Sequence, residues 1–144
     1  MLVSTKGRYA LRTMVDLAIH GDGEPVKIKD IARRQEISGK YLEQIISMLS
    51  RAGYVRSIRG NQGGYFLAHP VSEYTVGMIL RVVEGNLSPV ECLNGGENIC
   101  NRRQECVTLR LWQELDEAIK GVVERYTLDD LVQWQKNMKD NYVI

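Results

Sequence analysis

Residues 38–68 read Ser38-Gly39-Lys40-Tyr41-Leu42-Glu43-Gln44-Ile45-Ile46-Ser47-Met48-Leu49-Ser50-Arg51-Ala52-Gly53, then Tyr54-Val55-Arg56-Ser57-Ile58-Arg59-Gly60-Asn61-Gln62-Gly63-Gly64-Tyr65-Phe66-Leu67-Ala68. Leu42, Ile45, Ile46 and Leu49 follow the i, i+3, i+4, i+7 spacing of a helix with one buried face. Ser38 stands where an N-cap is wanted, and Gly53 where a left-handed residue ends a helix. The opposite face carries Lys40, Glu43, Gln44, Ser47 and Arg51, hydrogen-bonding side chains on successive turns. After Gly53 the period changes. Residues 54–59 and 65–68 are rich in β-branched and aromatic side chains, and the loop 60–64 between them holds three glycines. Glycines supply positive φ and let backbone come close to another surface, so this stretch predicts a β-hairpin.

Upstream, Ala10, Leu11, Met14, Leu17 and Ala18 recur at helical spacing and Gly21 closes the run, which predicts a helix over 5–20; a short second helix is expected over 28–35. Helix, turn, helix, then a glycine-rich hairpin is the order of a winged helix-turn-helix. A recognition helix of this kind enters the major groove of DNA, where amides and carboxylates read base edges and cations meet phosphates. A wing arginine such as Arg59 suits the negative potential of a minor groove. The candidate DNA-contacting residues are therefore Lys40, Tyr41, Glu43, Gln44, Ser47 and Arg51 on the helix, with Arg56, Arg59, Gly60, Gly63 and Gly64 on the hairpin.

The charge distribution agrees with this reading. The net charge of +1 conceals an asymmetry: residues 1–69 hold 11 Lys and Arg against 6 Asp and Glu, whereas residues 70–144 hold 8 against 12. A basic first half attracts a polyanion and an acidic second half suits protein or solvent, although charge also fluctuates between the halves of ordinary chains. With 144 residues, 44% hydrophobic, 26% charged and 3 Pro, the chain has the composition of a globular protein, not a disordered or collagen-like one. It lacks an apolar run of membrane-spanning length and a signal-peptide pattern, so the expected location is cytoplasmic. No second constellation of acid, base or nucleotide-binding groups accompanies these features, and an enzyme is not expected.

Downstream, Val76, Ile79, Leu80 and Val83 form a further helical stripe between a Thr75 cap and Gly85. From Glu105 or Cys106 to about Tyr126 a long helix is expected, with Trp112, Leu115, Ile119, Val122 and Tyr126 at spacings of 3 and 4, flanked by Leu111 and Ala118. A helix of about 20 residues spans roughly 30 Å, so one side can pack on its own domain and another on a second subunit; a purely internal core helix is the alternative. Thr127-Leu128-Asp129-Asp130 has capping-box form and opens a last helix through about Gln135, with the tail 136–144 weakly determined. The fold class is thus mainly α with a small β-hairpin wing. A winged helix-turn-helix domain covers 1–85, a cysteine-bearing loop 86–106, and a helical dimerisation region 107–144. A homodimer would present two recognition helices to the half-sites of a partly palindromic operator.

Cys92, Cys100 and Cys106 are separated by 7 and 5 residues, with Asn94, Gly95, Gly96, Asn98 and Asn101 between them. An odd count fits disulfides badly, and the spacing avoids the close pair of thioredoxin-like enzymes and zinc ribbons. Three thiols on a short, glycine-containing loop suit a soft metal centre, either an iron–sulfur cluster or zinc. Arg102 and Arg103, and a place for Cys106 at a helix N-terminus, would favour the thiolates. Three idle free cysteines are the alternative.

Ser4-Thr5-Lys6-Gly7-Arg8-Tyr9-Ala10, Tyr41-Leu42-Glu43-Gln44, the wing from Val55 to Tyr65, and Leu87-Ser88-Pro89-Val90 together resemble the Rrf-type bacterial regulators over nearly the whole chain. The resemblance implies a homodimeric transcription factor, usually a repressor. It implies that Lys40, Glu43 and Gln44 face bases and that Arg59 enters the minor groove; Lys40 replaces a smaller serine of the IscR-like members, which implies a different operator preference. Three such cysteines place the chain with the IscR-like and NsrR-like branch, which binds [2Fe-2S] or [4Fe-4S] clusters. The CymR-like branch lacks the trio and works through a protein partner, which remains the alternative here together with a thiol or zinc switch. The first cysteine gap is longer than in the IscR-like pattern. Leu109 stands at the position of the histidine ligand and Arg8 at that of the NsrR-like acidic ligand, so the fourth ligand is a different group: a water, a thiol or a nearby carboxylate. His20 and His69 read better as a helix-end residue and a wing-closing residue. Cluster binding is expected to order the cysteine loop against the long helix and so alter dimer geometry and operator affinity.

Overall fold

The computed structural model describes residues 2–94, 98 and 100–142. Six α-helices and one hairpin follow in the order α1 (Thr5–His20), α2 (Ile28–Gln35), α3 (Gly39–Arg51), β1 (Val55–Ile58), β2 (Gly64–Leu67), α4 (Val76–Glu84), α5 (Leu109–Arg125) and α6 (Leu128–Tyr142). Short 3-10 turns occupy Val71–Glu73 and Glu91–Leu93. No described helix is long and apolar enough to cross a membrane.

Three of the helix caps are those the sequence places, and Ser4 adds a fourth. The Ser4 hydroxyl accepts from the Gly7 N–H at the start of α1, Ser38 from Tyr41 at the start of α3, and Thr75 from Met78 at the start of α4. Gly53, just beyond α3, has φ +80°. Thr127 and Asp130 form the capping box expected before α6: the Asp130 carboxylate accepts from the Thr127 N–H at 2.8 Å and the Thr127 hydroxyl from the Asp130 N–H at 3.3 Å.

One core joins α1 to the rest of the first 85 residues. Ala10, Met14, Ile31, Leu42, Ile45, Leu49 and Ile79 are fully buried within it. Burying one such aliphatic side chain contributes about 1.5–3 kcal/mol, so the apolar row of α3 fixes which way its polar row points. Between α1 and α2 the buried carboxylate of Asp16 is gripped in a bidentate fork by Arg34, Nε to Oδ2 at 3.0 Å and Nη2 to Oδ1 at 2.8 Å, and also accepts from Gln35 Nε2 at 2.9 Å. A carboxylate removed from water needs this degree of pairing.

Tyr74 gathers several elements. Its ring is fully buried and edge-on to Tyr54, with centroids 5.6 Å apart. Its hydroxyl donates to the Tyr54 carbonyl at 2.7 Å and accepts from the His69 N–H at 2.9 Å, closing the exit of the wing. Its own carbonyl accepts from the Leu128 N–H at 2.8 Å, and Leu128 is itself buried in the main core. In consequence α6 packs against α1, and the last helix shares the core of the first 85 residues.

The hairpin pairs Val55 with Leu67 and Ile58 with Gly64, antiparallel, leaving 59–63 as the loop. A third strand-like segment, which no local pattern predicts, joins it: Val26 and Tyr65 exchange two backbone hydrogen bonds, each 2.8 Å. Gly64 permits this approach, since a Cβ there would sit 2.6 Å from the Val26 carbonyl oxygen.

Three expectations about the second half are corrected. α5 starts at Leu109, after a run of tight turns across 100–109 in which Arg103, Glu105 and Leu109 donate to the carbonyls three residues earlier; Cys106 therefore precedes the helix. The residues of the expected stripe of α5 and their neighbours divide into two rows. Trp112, Asp116, Ile119 and Val123 are half-buried or buried, whereas Leu111, Leu115, Ala118 and Val122 are exposed. Lastly, α6 continues to Tyr142, well beyond Gln135. Its residues 136–142 carry no apolar stripe, and once the first turns are anchored each further residue adds a backbone hydrogen bond.

Tyr74→Phe should lower stability by about 1–2 kcal/mol in urea denaturation, because the Tyr54 carbonyl and the His69 N–H lose their common partner. Burial raises the Tyr74 hydroxyl above its ordinary 10.0. With the folded value above the unfolded one, its contribution is present below about pH 10 and is lost as pH climbs through the folded value. The wild type should therefore lose stability more steeply in alkali than the Phe variant.

Candidate nucleic-acid interface and cysteine segment

Because Leu42, Ile45, Ile46 and Leu49 face inward, the other face of α3 is presented to solvent: Lys40, Glu43, Gln44, Ser47 and Arg51 are all exposed. Arg51 Nη2 donates to Ser47 Oγ at 3.3 Å, aligning the guanidinium along the helix. Tyr41 is placed differently from the rest of the candidate set. It is half-buried and packs edge-on against Tyr9 of α1, centroids 5.8 Å apart, with the Arg12 guanidinium on the Tyr9 ring at 5.1 Å. Tyr41 thus anchors the start of α3 to α1.

The free face of α3 borders a shallow groove lined by Lys40, Glu43, Gln44, Ser47, Met48 and Arg51, and by Lys6 from α1. Lys6 is not among the residues expected from the sequence. Only the packing of α1 beside α3 brings it there, and no periodicity signals that. The combination of cations, a carboxylate and an amide on one exposed helix face suits both phosphate contact and base-edge recognition.

On the wing, Arg56 and Arg59 are exposed, as is Ile58 at 49%. Gly60 has φ +109°, a conformation that glycine adopts readily. Gly63 is buried, and a Cβ on it would collide with the Ile58 carbonyl oxygen. Gly63 and Gly64 therefore have structural reasons for being glycine, independent of any partner. A second groove separates the wing from the start of α2; Lys27, Lys29, Ser57, Arg59 and Asn61 are among its lining residues. Lys27 and Lys29 also fall outside the expected set, since along the chain they are only two basic residues at the start of a short helix.

The cysteines lie along the connection from α4 to α5. Cys92 is half-buried in the 3-10 turn Glu91–Leu93, which packs against α5; Cys100 is exposed and Cys106 half-buried, and all three are free thiols. The Cys106 Sγ lies 3.3 Å from the Thr108 hydroxyl. That hydrogen bond, aided by the Leu109 and Thr108 backbone and then by Arg102, holds its thiol below the ordinary value of 9.0 against the opposing effect of desolvation. Arg103 turns to the main chain instead, Nη1 donating to the Cys100 carbonyl at 3.1 Å. Three thiols are the donor chemistry that zinc and iron–sulfur clusters take. Their placement is not that of an assembled centre: among the described residues no three His, Cys, Asp or Glu side chains lie close enough to hold a metal ion. Gly95 and Gly96, which the sequence reading includes in this loop, lie outside the described residues. His20 ends α1 and His69 follows the wing, as expected of them.

Hydrogen bonds also tie the end of α4 to the start of α1. Glu84, the last residue of α4, accepts hydrogen bonds from the Ser4 N–H at 2.9 Å and from the Ser4 hydroxyl. Two residues beyond Ser4 stands Lys6; one residue beyond Glu84 stands Gly85, φ +78°, where the chain turns toward the cysteines.

Comparison with known proteins agrees with the arrangement. The sequence profile of the Rrf2 family, described as "Iron-dependent Transcriptional regulator", matches residues 3–134. The transcriptional regulator CymR of Bacillus subtilis is 41% identical over 144 residues, covering 99% of this chain and 98% of its own. IscR of Serratia proteamaculans is 40% identical over 135 residues, covering 94% of this chain and 81% of its own. The solved structure of T. potens IscR superposes with a TM-score of 0.77 at 38% identity, covering 100% of this chain and 93% of that one. Winged fold, exposed polar face of α3 and full-length similarity lead to one conclusion: this chain belongs to the Rrf2 family of transcription regulators.

Proposed function

We propose that the protein is a homodimeric repressor that binds a DNA operator through α3 and the wing, with an affinity set by an iron–sulfur cluster on Cys92, Cys100 and Cys106. The observation that carries the DNA half is the exposed row Lys40, Glu43, Gln44, Ser47 and Arg51, held outward by a fully buried row and flanked by the Arg56 and Arg59 wing. In this role Lys40 and Arg51 meet phosphates, Glu43 and Gln44 face base edges, and Arg59 enters the adjacent minor groove.

The homodimer is supported by the outer row of α5. Leu111, Leu115 and Val122 are 55%, 42% and 49% exposed and, with Ala118 between them, follow the 4-3-4 spacing of a helix-pairing seam. A second copy related by a twofold axis would cover this row and present two α3 helices to DNA.

The number and type of the thiols, and the place of Cys92 in a turn against α5, support control from the cysteine segment. When bound, a cluster would supply an iron centre responsive to oxidation, nitric oxide or iron supply. The residues of the chain do the rest: the turn holding Cys92 bears on α5, and Glu84 with Ser4 ties the same connection to the start of α1. A second reading, a thiol switch without a cluster or a CymR-like regulator with a protein partner, is favoured by one observation: Cys106 is a thiol of lowered pKa in a segment whose cysteines stand apart.

Protein purified anaerobically should contain iron and acid-labile sulfide in equal amounts, about two or four per chain, and Cys92→Ala, Cys100→Ala and Cys106→Ala should each abolish both. Absence of both elements from the wild type gives the thiol-switch reading instead. Arg59→Ala should weaken operator binding and lower the log–log salt slope by about 1, read by fluorescence anisotropy across a salt series. Leu115→Glu should sediment as a 16.4 kDa monomer and bind the operator roughly 100-fold more weakly.

A further inference from the structure

We infer that the groove between the start of α2 and the wing is a second DNA seat, one that grips the phosphodiester backbone through Lys27 and Lys29, beside the wing arginine Arg59, without reading sequence. This rests on the DNA-binding reading of the chain and adds a surface to it.

The charge of the groove points to a polyanion. Three cations from two separate elements line it, with Ser57 and Asn61 as neutral hydrogen-bonding groups, and no carboxylate is among its lining residues. The described ion pairs include none of the three cations. Like charges gathered on one groove repel unless a partner of opposite sign is present. The groove along α3 differs: there Glu43 and Gln44 stand among the cations, the mixture that base edges require.

The backbone that carries the cations is fixed. The paired N–H···O bonds between Val26 and Tyr65, each 2.8 Å, join the residue before Lys27 to the second strand of the wing. With Gly64 lying directly against the Val26 carbonyl, the two walls of the groove are parts of one backbone unit. With the walls in register before the partner arrives, only the lysine and arginine side chains remain to be ordered on binding. A partner with anionic groups at regular intervals along a stiff rod fits two such walls, and duplex DNA is that partner. In helix-turn-helix docking the helix before the recognition helix crosses the sugar–phosphate backbone. With α3 in the major groove and Arg59 directed to the neighbouring minor groove, the strand between them runs past Lys27 and Lys29.

The test compares Lys27→Gln/Lys29→Gln with the wild type on two probes across a salt series: the duplex the wild type recovers best from a random-sequence pool, and an arbitrary duplex of the same length. The expected result is that the log–log salt slope falls by about 2 on both duplexes, close to 0.9 for each phosphate left without its lysine, while the affinity ratio between them stays unchanged. Lys27→Arg/Lys29→Arg, which keeps the charges, should retain the wild-type slope, an outcome that a purely structural role for the lysine stems does not give. An unchanged slope in the Gln variant, or an altered ratio at constant slope, would overturn the inference while leaving the α3 reading intact. A wild type that binds neither duplex would overturn the DNA-binding reading and this inference with it.

Discussion

The buried hydroxyl of Tyr74 is the point on which the arrangement of the other parts depends. A phenol inside an apolar core must find hydrogen-bonding partners or forfeit the free energy of its hydration. The partners it finds are main-chain groups of Tyr54 and His69, at the entrance and exit of the wing. Through its own carbonyl it also receives the first turn of α6. One residue therefore sets the root of the hairpin against the core, and from that root the hairpin projects Arg56 and Arg59 at a defined angle to α3. The Asp16–Arg34 fork does the corresponding work at the other end of the helix-turn-helix.

Two helices with two faces divide the labour of the molecule. In α3 the inner row is wholly aliphatic and the outer row wholly polar, which is the pattern of an element whose outer partner is charged and hydrated. In α5 both rows are apolar or mixed. The inner row meets Leu80 and Leu87, and the outer row keeps Leu111, Leu115 and Val122 in water, the pattern of an element whose outer partner is another apolar surface. The cysteine segment connects the two halves: it leaves α4 beside Ser4, and a few residues on its Glu91–Leu93 turn packs against α5.

The sequence is legible where local rules decide. Caps at Ser38, Thr75 and Thr127, the apolar spacing of α1, the four-residue stripe of α3, and the change of period at Gly53 place α1 to α4 and the hairpin within a residue or two. The adjacent apolar pairs of α5, such as Leu111 with Trp112 and Val122 with Val123, defeat the same rules, because neighbours on a helix point to different sides and spacing alone does not say which side is inside. The expected start of α5 is too early since nothing in Cys106-Val107-Thr108 forbids a helix, yet the chain there makes tight turns. Tyr74, the Val26 pairing and the contributions of Lys6, Lys27 and Lys29 to the grooves are tertiary facts, invisible to any window along the chain. The cysteine trio is visible as donor chemistry and its geometry is not, because seven- and five-residue gaps do not fix where a loop puts its thiols.

The close approach of Gly64 to Val26 makes the wing a ruler. Since any larger residue at 64 would push Val26 and the wing apart, the spacing between the wing and the segment leading into α2 is set by the backbone and not by side chains. In the proposed mode of binding, exchanges at Lys40, Glu43 or Gln44 would change which bases are read while leaving that spacing as it is. A regulator built this way would take up new operators by exchanging side chains on α3, with the seat of the wing left unchanged.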